Sequence, residues 1–151
     1  VQGAQRFLKR LWRLVHQHAA GGPATAVVPG DVDDTARALR RAAHQTLAKV
    51  GDDIGRRRTF NTAIAAVMEL LNTVGRYEVR GGDAGSRDRA VLQETLELAT
   101  LMLSPIVPHI CHRLWRVLGH DRAIIDEPWP AVDGAALAAA TREVVVQVNG
   151  K

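Results

Sequence analysis

The stretch RRRTFNTAIAAVMELLNTVGRY, residues 56–77, joins three consecutive arginines directly to a helical pattern. Its larger apolar residues recur at the i, i+4, i+7 and i+8 spacing of one helical face, which is typical of a helix packed on other helices. These residues are Phe60, Ile64, Val67, Met68, Leu71 and Val74. Asn61 is expected to cap the helix, because its side chain can accept a hydrogen bond from a free N–H of the first turn.

The arginine cluster before this helix has two interpretations. Arg56, Arg57 and Arg58 are expected to stay near water, since buried cations need partners. They could be nothing more than the solvated start of a core helix. Alternatively, they could lie where a phosphate backbone passes, because the planar guanidinium suits bidentate phosphate contacts.

Residues 5–17, QRFLKRLWRLVHQ, separate charge from apolar surface on a helical wheel. The basic residues on one side are Arg6, Lys9, Arg10 and Arg13. The apolar residues centred roughly opposite are Phe7, Leu8, Leu11, Leu14 and Val15, and Trp12 lies at the edge of that sector. The pattern predicts an amphipathic helix whose basic stripe is either solvated surface or a contact for an anionic partner.

Helical patterns fill most of the remaining chain up to about residue 140. One should begin at Asp33 or Asp34 and run to Gly55, with Arg40 and Arg41 in solvent. Residues 81–86, GGDAGS, are expected to be a flexible loop, since they match no phosphate-binding fingerprint. A further helix follows from Ser86 or Asp88. The sequence therefore predicts an all-α protein, an antiparallel helix bundle.

The last predicted helix of the bundle begins at a Ser-Pro pair and ends at a glycine. Ser104 is expected to cap it, with Pro105 at the first helical position and Pro108 costing one hydrogen bond. Gly119 is expected to end it as a left-handed cap. His109, Cys111 and His112 lie inside it, but no further ligand arrives at a recognisable spacing, so no metal site is predicted.

The helical pattern is replaced by a strand-like pattern near the C-terminus. Residues 143–148, EVVVQV, are β-branched without a helical period, and Asn149-Gly150 is a strong hairpin signal. A short β-strand is therefore expected after a short alanine-rich helix. We expect a helical domain over residues 1–140 and the start of a second, truncated unit over residues 141–151.

Size and composition narrow the function classes. The 151 residues (16.4 kDa) are enough for one domain with a real core, and the net charge of +4 with a pI near 10.0 favours an anionic partner. Aromatic residues make up only 4% of the chain, so few stacking platforms are available for bases. With Cys111 as the single cysteine, no disulfide within the chain is possible. No apolar run approaches the roughly 20 residues of a membrane span, so a cytoplasmic protein is expected.

Several of these stretches together resemble the C-terminal helical region of class I leucyl-tRNA synthetases. The opening GAQRFLKRLWRLV is similar to the helix after the catalytic domain, and RRRTFNTAIAAVMELLN to the middle of the anticodon-binding bundle. LSPIVPHICHRLWRVLGH resembles a signature shared by the leucine, valine and isoleucine enzymes, with His112-Arg113 where the family carries an acidic pair. EPWPAVD and VVVQVNGK resemble the leucine-specific junction to a small C-terminal domain.

The resemblance implies a helical domain that binds tRNA(Leu) along its body. ATP, with Mg²⁺, would serve the parent enzyme, a leucine–tRNA ligase that aminoacylates and edits in other domains of the same polypeptide. This piece would have no catalytic residue and no cofactor of its own, and a monomer is expected. The residues expected to contact tRNA are Arg6, Lys9, Arg10, Arg13, Arg56, Arg57 and Arg58.

Two alternatives remain open at this point. The chain could be the equivalent domain of a valyl- or isoleucyl-tRNA synthetase. It could also be a non-enzymatic helical scaffold or dimerisation module whose basic charge is incidental, in which case contact with RNA would be weak and insensitive to salt.

Overall fold

The computed structural model describes residues 2–138, and this part of the chain is all-helical. In chain order the helices are α1 (Gln2–Ala19), α2 (Asp34–Asp52), α3 (Phe60–Arg76), α4 (Gly82–Leu103), α5 (Pro108–Val117) and α6 (Gly134–Leu137). The predicted all-α class is therefore confirmed for these residues. The predicted strand at residues 143–148 lies outside them, as does most of the second unit expected at residues 141–151.

Contacts between side chains show the direction of each helix. Asp31 pairs with Arg87, so the start of α2 lies beside the start of α4 and the two run the same way. The end of α1 meets the first half of α4, where His18 Nε2 is 2.7 Å from Gln93 Oε1. Gln93 also donates to the carbonyl of Leu118 at the end of α5. Both α1 and α5 therefore run antiparallel to α4, and short connections return α3 antiparallel to its neighbours α2 and α4.

Helix α4 lies at the centre of the bundle and packs against α1, α2, α3 and α5. The largest fully buried side chains come from all five of these helices, at about 1.5–3 kcal/mol each for complete burial. They include Leu11, Leu39, Leu47, Leu71, Leu96, Met102, Leu103 and Leu114. Among them, Leu11 and Leu71 were predicted to face inward from helical periodicity.

The start of α3 differs from the prediction. Thr59, not Asn61, is the N-cap residue, and the helix begins at Phe60. Phe60 is 46% exposed instead of buried, because it stands at the first position of α3. The inward positions Val67, Leu71 and Val74 are buried as predicted.

The glycine-rich segment at residues 81–86 is also not the predicted loop, since α4 already begins at Gly82. A Cβ on Gly85 would lie 2.1 Å from the carbonyl oxygen of Arg80, so only glycine allows this first turn to form against the preceding chain. Asp83 in the first turn favours the helix through its dipole. Gly85 is needed here for close packing, and a glycine-rich sequence alone does not distinguish this role from a flexible loop.

The start of α5 corrects a second prediction about helix ends. Residues 104–107 form a turn, and Pro108, not Pro105, takes the first helical position. Pro108 therefore costs no hydrogen bond, because its missing N–H would have been free in any case. The predicted end is confirmed: Gly119 has a left-handed φ of +102°, and its N–H donates to the carbonyl of Arg116.

Arg40 is buried, contrary to the prediction that it lies in solvent. Only 6% of the residue is exposed, and its guanidinium bonds Glu94 at 2.8 Å and Asp133 at 2.7 Å. His44 completes the network, with Nε2 3.2 Å from Glu94 and Nδ1 accepting the backbone N–H of Asp133. Burial alone would raise the pKa of Glu94, but hydrogen bonds from His44 and Arg40 lower it. The network joins α2, α4 and the segment before α6, three places that are distant in sequence.

Candidate nucleic-acid interface

Helix α1 presents its basic stripe to solvent because its opposite face is in the core. Leu11, Val15 and His18 are buried, and the cations lie on the other side of the helix. Lys9 and Arg13 are exposed, and neither forms an ion pair with a carboxylate among residues 2–138. These charges are therefore available to an anionic partner.

Arg10 lies differently from the other α1 cations, because it extends across α3. Its Nη1 donates to Asn72 Oδ1, and a Cβ on Gly75 would lie 2.6 Å from its Nη2. Gly75 thus makes room for the guanidinium. A groove of about 340 Å³ runs between the two helices here, and its lining residues are Gly3, Arg6, Phe7, Arg10, Met68 and Asn72. The groove has two guanidinium groups and a half-buried amide, a surface suited to phosphate and sugar oxygens.

The arginine cluster at residues 56–58 is held by a π-helical turn, Asp53–Arg57, that follows α2 directly. Asp53 is buried and fixes the turn, since its carboxylate is 2.6 Å from Lys49 Nζ and its carbonyl accepts the N–H of Thr59 at 2.9 Å. The hydrogen bond from Lys49 lowers the pKa of Asp53. The arginines therefore project from a defined turn.

Two of these three arginines share one carboxylate. Arg56 and Arg57 lie 2.5 Å and 3.2 Å from the oxygens of Asp52, and the hydrogen bond from Arg56 lowers the pKa of Asp52. Both side chains remain exposed, and exposed ion pairs contribute little to stability, so a phosphate can compete with Asp52. Arg58 has φ +55°, in the left-handed region, and is exposed.

The structure brings the seven predicted tRNA-contacting residues into two clusters. Arg6, Lys9, Arg10 and Arg13 lie together on α1, and Arg10 meets α3 at Asn72. Residues 56–58 precede Phe60 at the other end of α3, about 18 Å away along the axis at 1.5 Å per residue. A partner that touches both clusters must span roughly this distance.

Sequence reasoning missed a further basic element. Helix α5 contains Arg113 and Arg116 and no acidic residue, and both arginines are exposed. The absence of Asp and Glu over residues 108–117 is the signal that could have found it.

The remaining chemistry of the described residues is structural. Burial raises the pKa of the Cys111 thiol to about 12, so it stays protonated and unreactive. Over residues 2–138, no group of three or more His, Cys, Asp or Glu side chains is arranged to hold a metal ion. None of the helices in the same range is long and apolar enough to cross a bilayer. The arrangement is suited to binding an anionic surface.

These features define a helical binding domain with cationic surfaces. The family model described as the anticodon-binding domain of tRNA ligase matches residues 36–151. The chain belongs to this family.

Comparison with individual proteins indicates which kind of tRNA ligase the chain resembles. The leucine–tRNA ligase of Thioalkalivibrio sulfidiphilus (strain HL-EbGR7) is 60% identical over 151 residues, covering all of this chain and 18% of that protein. That of Marinobacter nauticus is 58% identical, again over the whole chain and 17% of its relative. The chain thus spans less than a fifth of the length of these relatives. The resemblance to leucyl-tRNA synthetases is confirmed.

A solved structure shares the fold. The ternary complex of Agrobacterium radiobacter K84 agnB2 LeuRS with tRNA and LeuAMS superposes with a TM-score of 0.77 at 28% identity. The match covers 91% of this chain and 18% of that one. The bundle is therefore arranged as in part of a synthetase that was crystallised with tRNA.

Proposed function

We propose that this chain is the tRNA-binding helical domain of a leucine–tRNA ligase and that it positions tRNA(Leu) for aminoacylation and editing carried out elsewhere in the protein. ATP and Mg²⁺ would be bound by parts outside this chain. The domain would comprise residues 1–140, with a further unit from residue 141, in a monomeric cytoplasmic enzyme. The named relatives favour leucine over valine or isoleucine and do not favour a free-standing scaffold.

The observation that carries the proposal is the exposed, uncompensated basic stripe of α1 together with the arginines at residues 56–58. Lys9 and Arg13 offer charge with no carboxylate among residues 2–138 to displace. Arg6 and Arg10 line the groove against α3. Contacts of this kind recognise the phosphates and shape of a folded RNA and carry little base specificity.

The first test neutralises the two freest cations of α1. In the 151-residue chain, Lys9→Gln with Arg13→Gln should weaken binding to a tRNA(Leu) transcript about tenfold at moderate salt, because two phosphate contacts are lost. Binding is measured by filter retention or fluorescence anisotropy.

The matched control removes the same charge from other helices. Arg37→Gln with Arg87→Gln breaks surface pairs with Asp34 and Asp31 and the hydrogen bond from Arg37 to the Val32 carbonyl. None of these contacts involves α1, so affinity should change little. Equal weakening in both double variants would show a general charge effect, and no weakening in the α1 variant would refute the proposed interface.

A further inference from the structure

The charges of the chain are unevenly distributed over its helices. Six of the 20 Lys and Arg residues lie on α1 and α5, and none of the 16 Asp and Glu residues lies on either helix. These two helices alone thus carry more than the whole net charge of +4. Because α1 and α5 pack against each other, their outer sides adjoin and form one surface without a carboxylate of their own.

Helix α5 turns its basic side outward. Cys111, Leu114 and Trp115 are buried, and Arg113 and Arg116 are on the exposed side. Arg113 has no ion pair with any carboxylate of residues 2–138.

Arg116 is partly engaged at the end of α5. It donates to the backbone carbonyl of Asp121 and is 3.9 Å from that residue's fully exposed carboxylate. Such an exposed pair contributes little to stability and leaves the guanidinium accessible.

Trp12 is an exposed aromatic residue beside the basic stripe of α1. At about 100° per residue, it is about 200° around α1 from Arg10, which contacts α3. Since α1 packs only against α3, α4 and α5 among the long helices described, this places Trp12 on the flank next to α5. The indole is 39% exposed, with its ring centroid 4.5 Å from that of His16. A large aromatic ring beside the cations of α1 offers an apolar contact at the edge of a charged surface.

We propose that tRNA also contacts the outer surface formed by α1 and α5, which we call the α1/α5 face. Its members are Lys9, Trp12, Arg13, His109, Arg113 and Arg116. Arg113 and Arg116 bind phosphates, and Trp12 packs on a ribose or base. This inference rests on the proposed function and extends the tRNA contact from α1 and the arginine turn onto α5. An RNA fits the surface because it supplies closely spaced anions over the full width of two helices.

Tryptophan fluorescence tests the inference directly, since the chain has three tryptophans in different settings. Trp115 is buried and stacked on His120, and Trp129 is exposed beside the end of α2 near Gly51. We expect tRNA(Leu) to quench the emission of the wild-type chain. Trp12→Phe should abolish most of this quenching, and the matched variant Trp129→Phe should retain it. Quenching that survives in Trp12→Phe would overturn the proposal.

A charge-removal arm separates this inference from the proposed function. Arg113→Gln with Arg116→Gln should weaken tRNA(Leu) binding several-fold with unchanged helicity by circular dichroism. If Lys9→Gln with Arg13→Gln weakens binding and the α5 variant does not, the α5 contact is refuted and the proposed function stands. If neither variant weakens binding, the proposed function itself fails. A lower melting temperature with unchanged affinity in the α5 variant would assign that side to protein packing and would also overturn the inference.

Discussion

Arg58 is the residue whose backbone is least favourable for its side chain. Its φ of +55° costs roughly 1–2 kcal/mol for an L-residue with a Cβ, and glycine would adopt it freely. It stands at the C-terminal cap of the π-helical turn, where glycine is the usual residue. An exposed arginine at such a position fits a role in binding.

Replacing Arg58 with glycine should therefore have opposite effects on stability and binding. Arg58→Gly is expected to raise the free energy of unfolding by up to about 1 kcal/mol by removing the strain, and to weaken tRNA(Leu) binding a few-fold. Urea denaturation and a binding titration on the same preparation measure the two effects.

Arg58→Ala separates the causes, because it removes the charge and keeps the Cβ. It should weaken binding to the same extent without any gain in stability. Arg58→Gly with full affinity would show that this arginine does not contact RNA.

Asp88 shows how a buried charge is made stable. It is 1% exposed and accepts hydrogen bonds from the Arg80 guanidinium at 2.7 Å and the Tyr77 hydroxyl at 2.9 Å. The bonds from Arg80 lower the pKa of Asp88 to about 2. Since this lies below the unfolded value of about 3.9, the carboxylate stabilises the fold above that pH and loses this contribution as the pH falls towards 2.

The pH dependence of unfolding should reflect Asp88. Between about pH 4 and pH 2 the free energy of unfolding should drop by roughly 2 kcal/mol from this group, and Asp88→Asn should remove that part of the slope. Asp34→Asn, at an exposed acid paired with Arg37, is the control and should leave the slope almost unchanged. The same acid slope in wild-type and Asp88→Asn chains would contradict the assignment.

At the scale of single elements, the start of α4 shows that the apolar pattern of a helix does not reveal where its first turn begins. Gly82 and Gly85 look like loop residues in sequence, yet the first turn of the helix closes against the Arg80 carbonyl. The close approach depends on Arg80 being held by Asp88, a contact across eight residues.

Gly85→Ala should destabilise the chain by about 1–3 kcal/mol, because the new methyl group would meet backbone atoms that cannot move away cheaply. Gly55→Ala is the matched control, since a Cβ there meets nothing within 4 Å. It should be neutral or slightly stabilising. Thermal denaturation should give a lower melting temperature for Gly85→Ala than for Gly55→Ala. Equal melting temperatures would contradict this account of α4.

The helix interiors could be predicted from sequence, and the contacts between helices could not. Apolar periodicity placed Leu11, Val15 and Leu71 in the core, because a 3.6-residue repeat shows which side of a helix faces away from water. Arg40 was wrongly placed in solvent, because its partners Glu94 and Asp133 are 54 and 93 residues away in sequence. The basic face of α1 was predicted, but its continuation onto α5 was not, because the packing of these two helices joins segments that are about 100 residues apart in sequence.

At the scale of the whole molecule, α1 and α5 are the pair of long helices that carry cations and no carboxylate. Many acidic residues elsewhere form ion pairs with cations of the chain, and some of these pairs hold helices together. Examples are Asp88 with Arg80 and Glu94 with Arg40. The α1 stripe and the α1/α5 face therefore keep their charge for a partner. The positive field of such a surface would also speed the approach of RNA at low salt.

The salt dependence of tRNA(Leu) binding tests the central claim most directly. The logarithm of the association constant of the 151-residue chain should fall linearly with the logarithm of salt concentration, with a slope set by the phosphates contacted. Lys9→Gln with Arg13→Gln should reduce the magnitude of that slope by about two, and Arg37→Gln with Arg87→Gln should leave it unchanged. Weak binding insensitive to salt, or equal slopes in all three chains, would contradict the account.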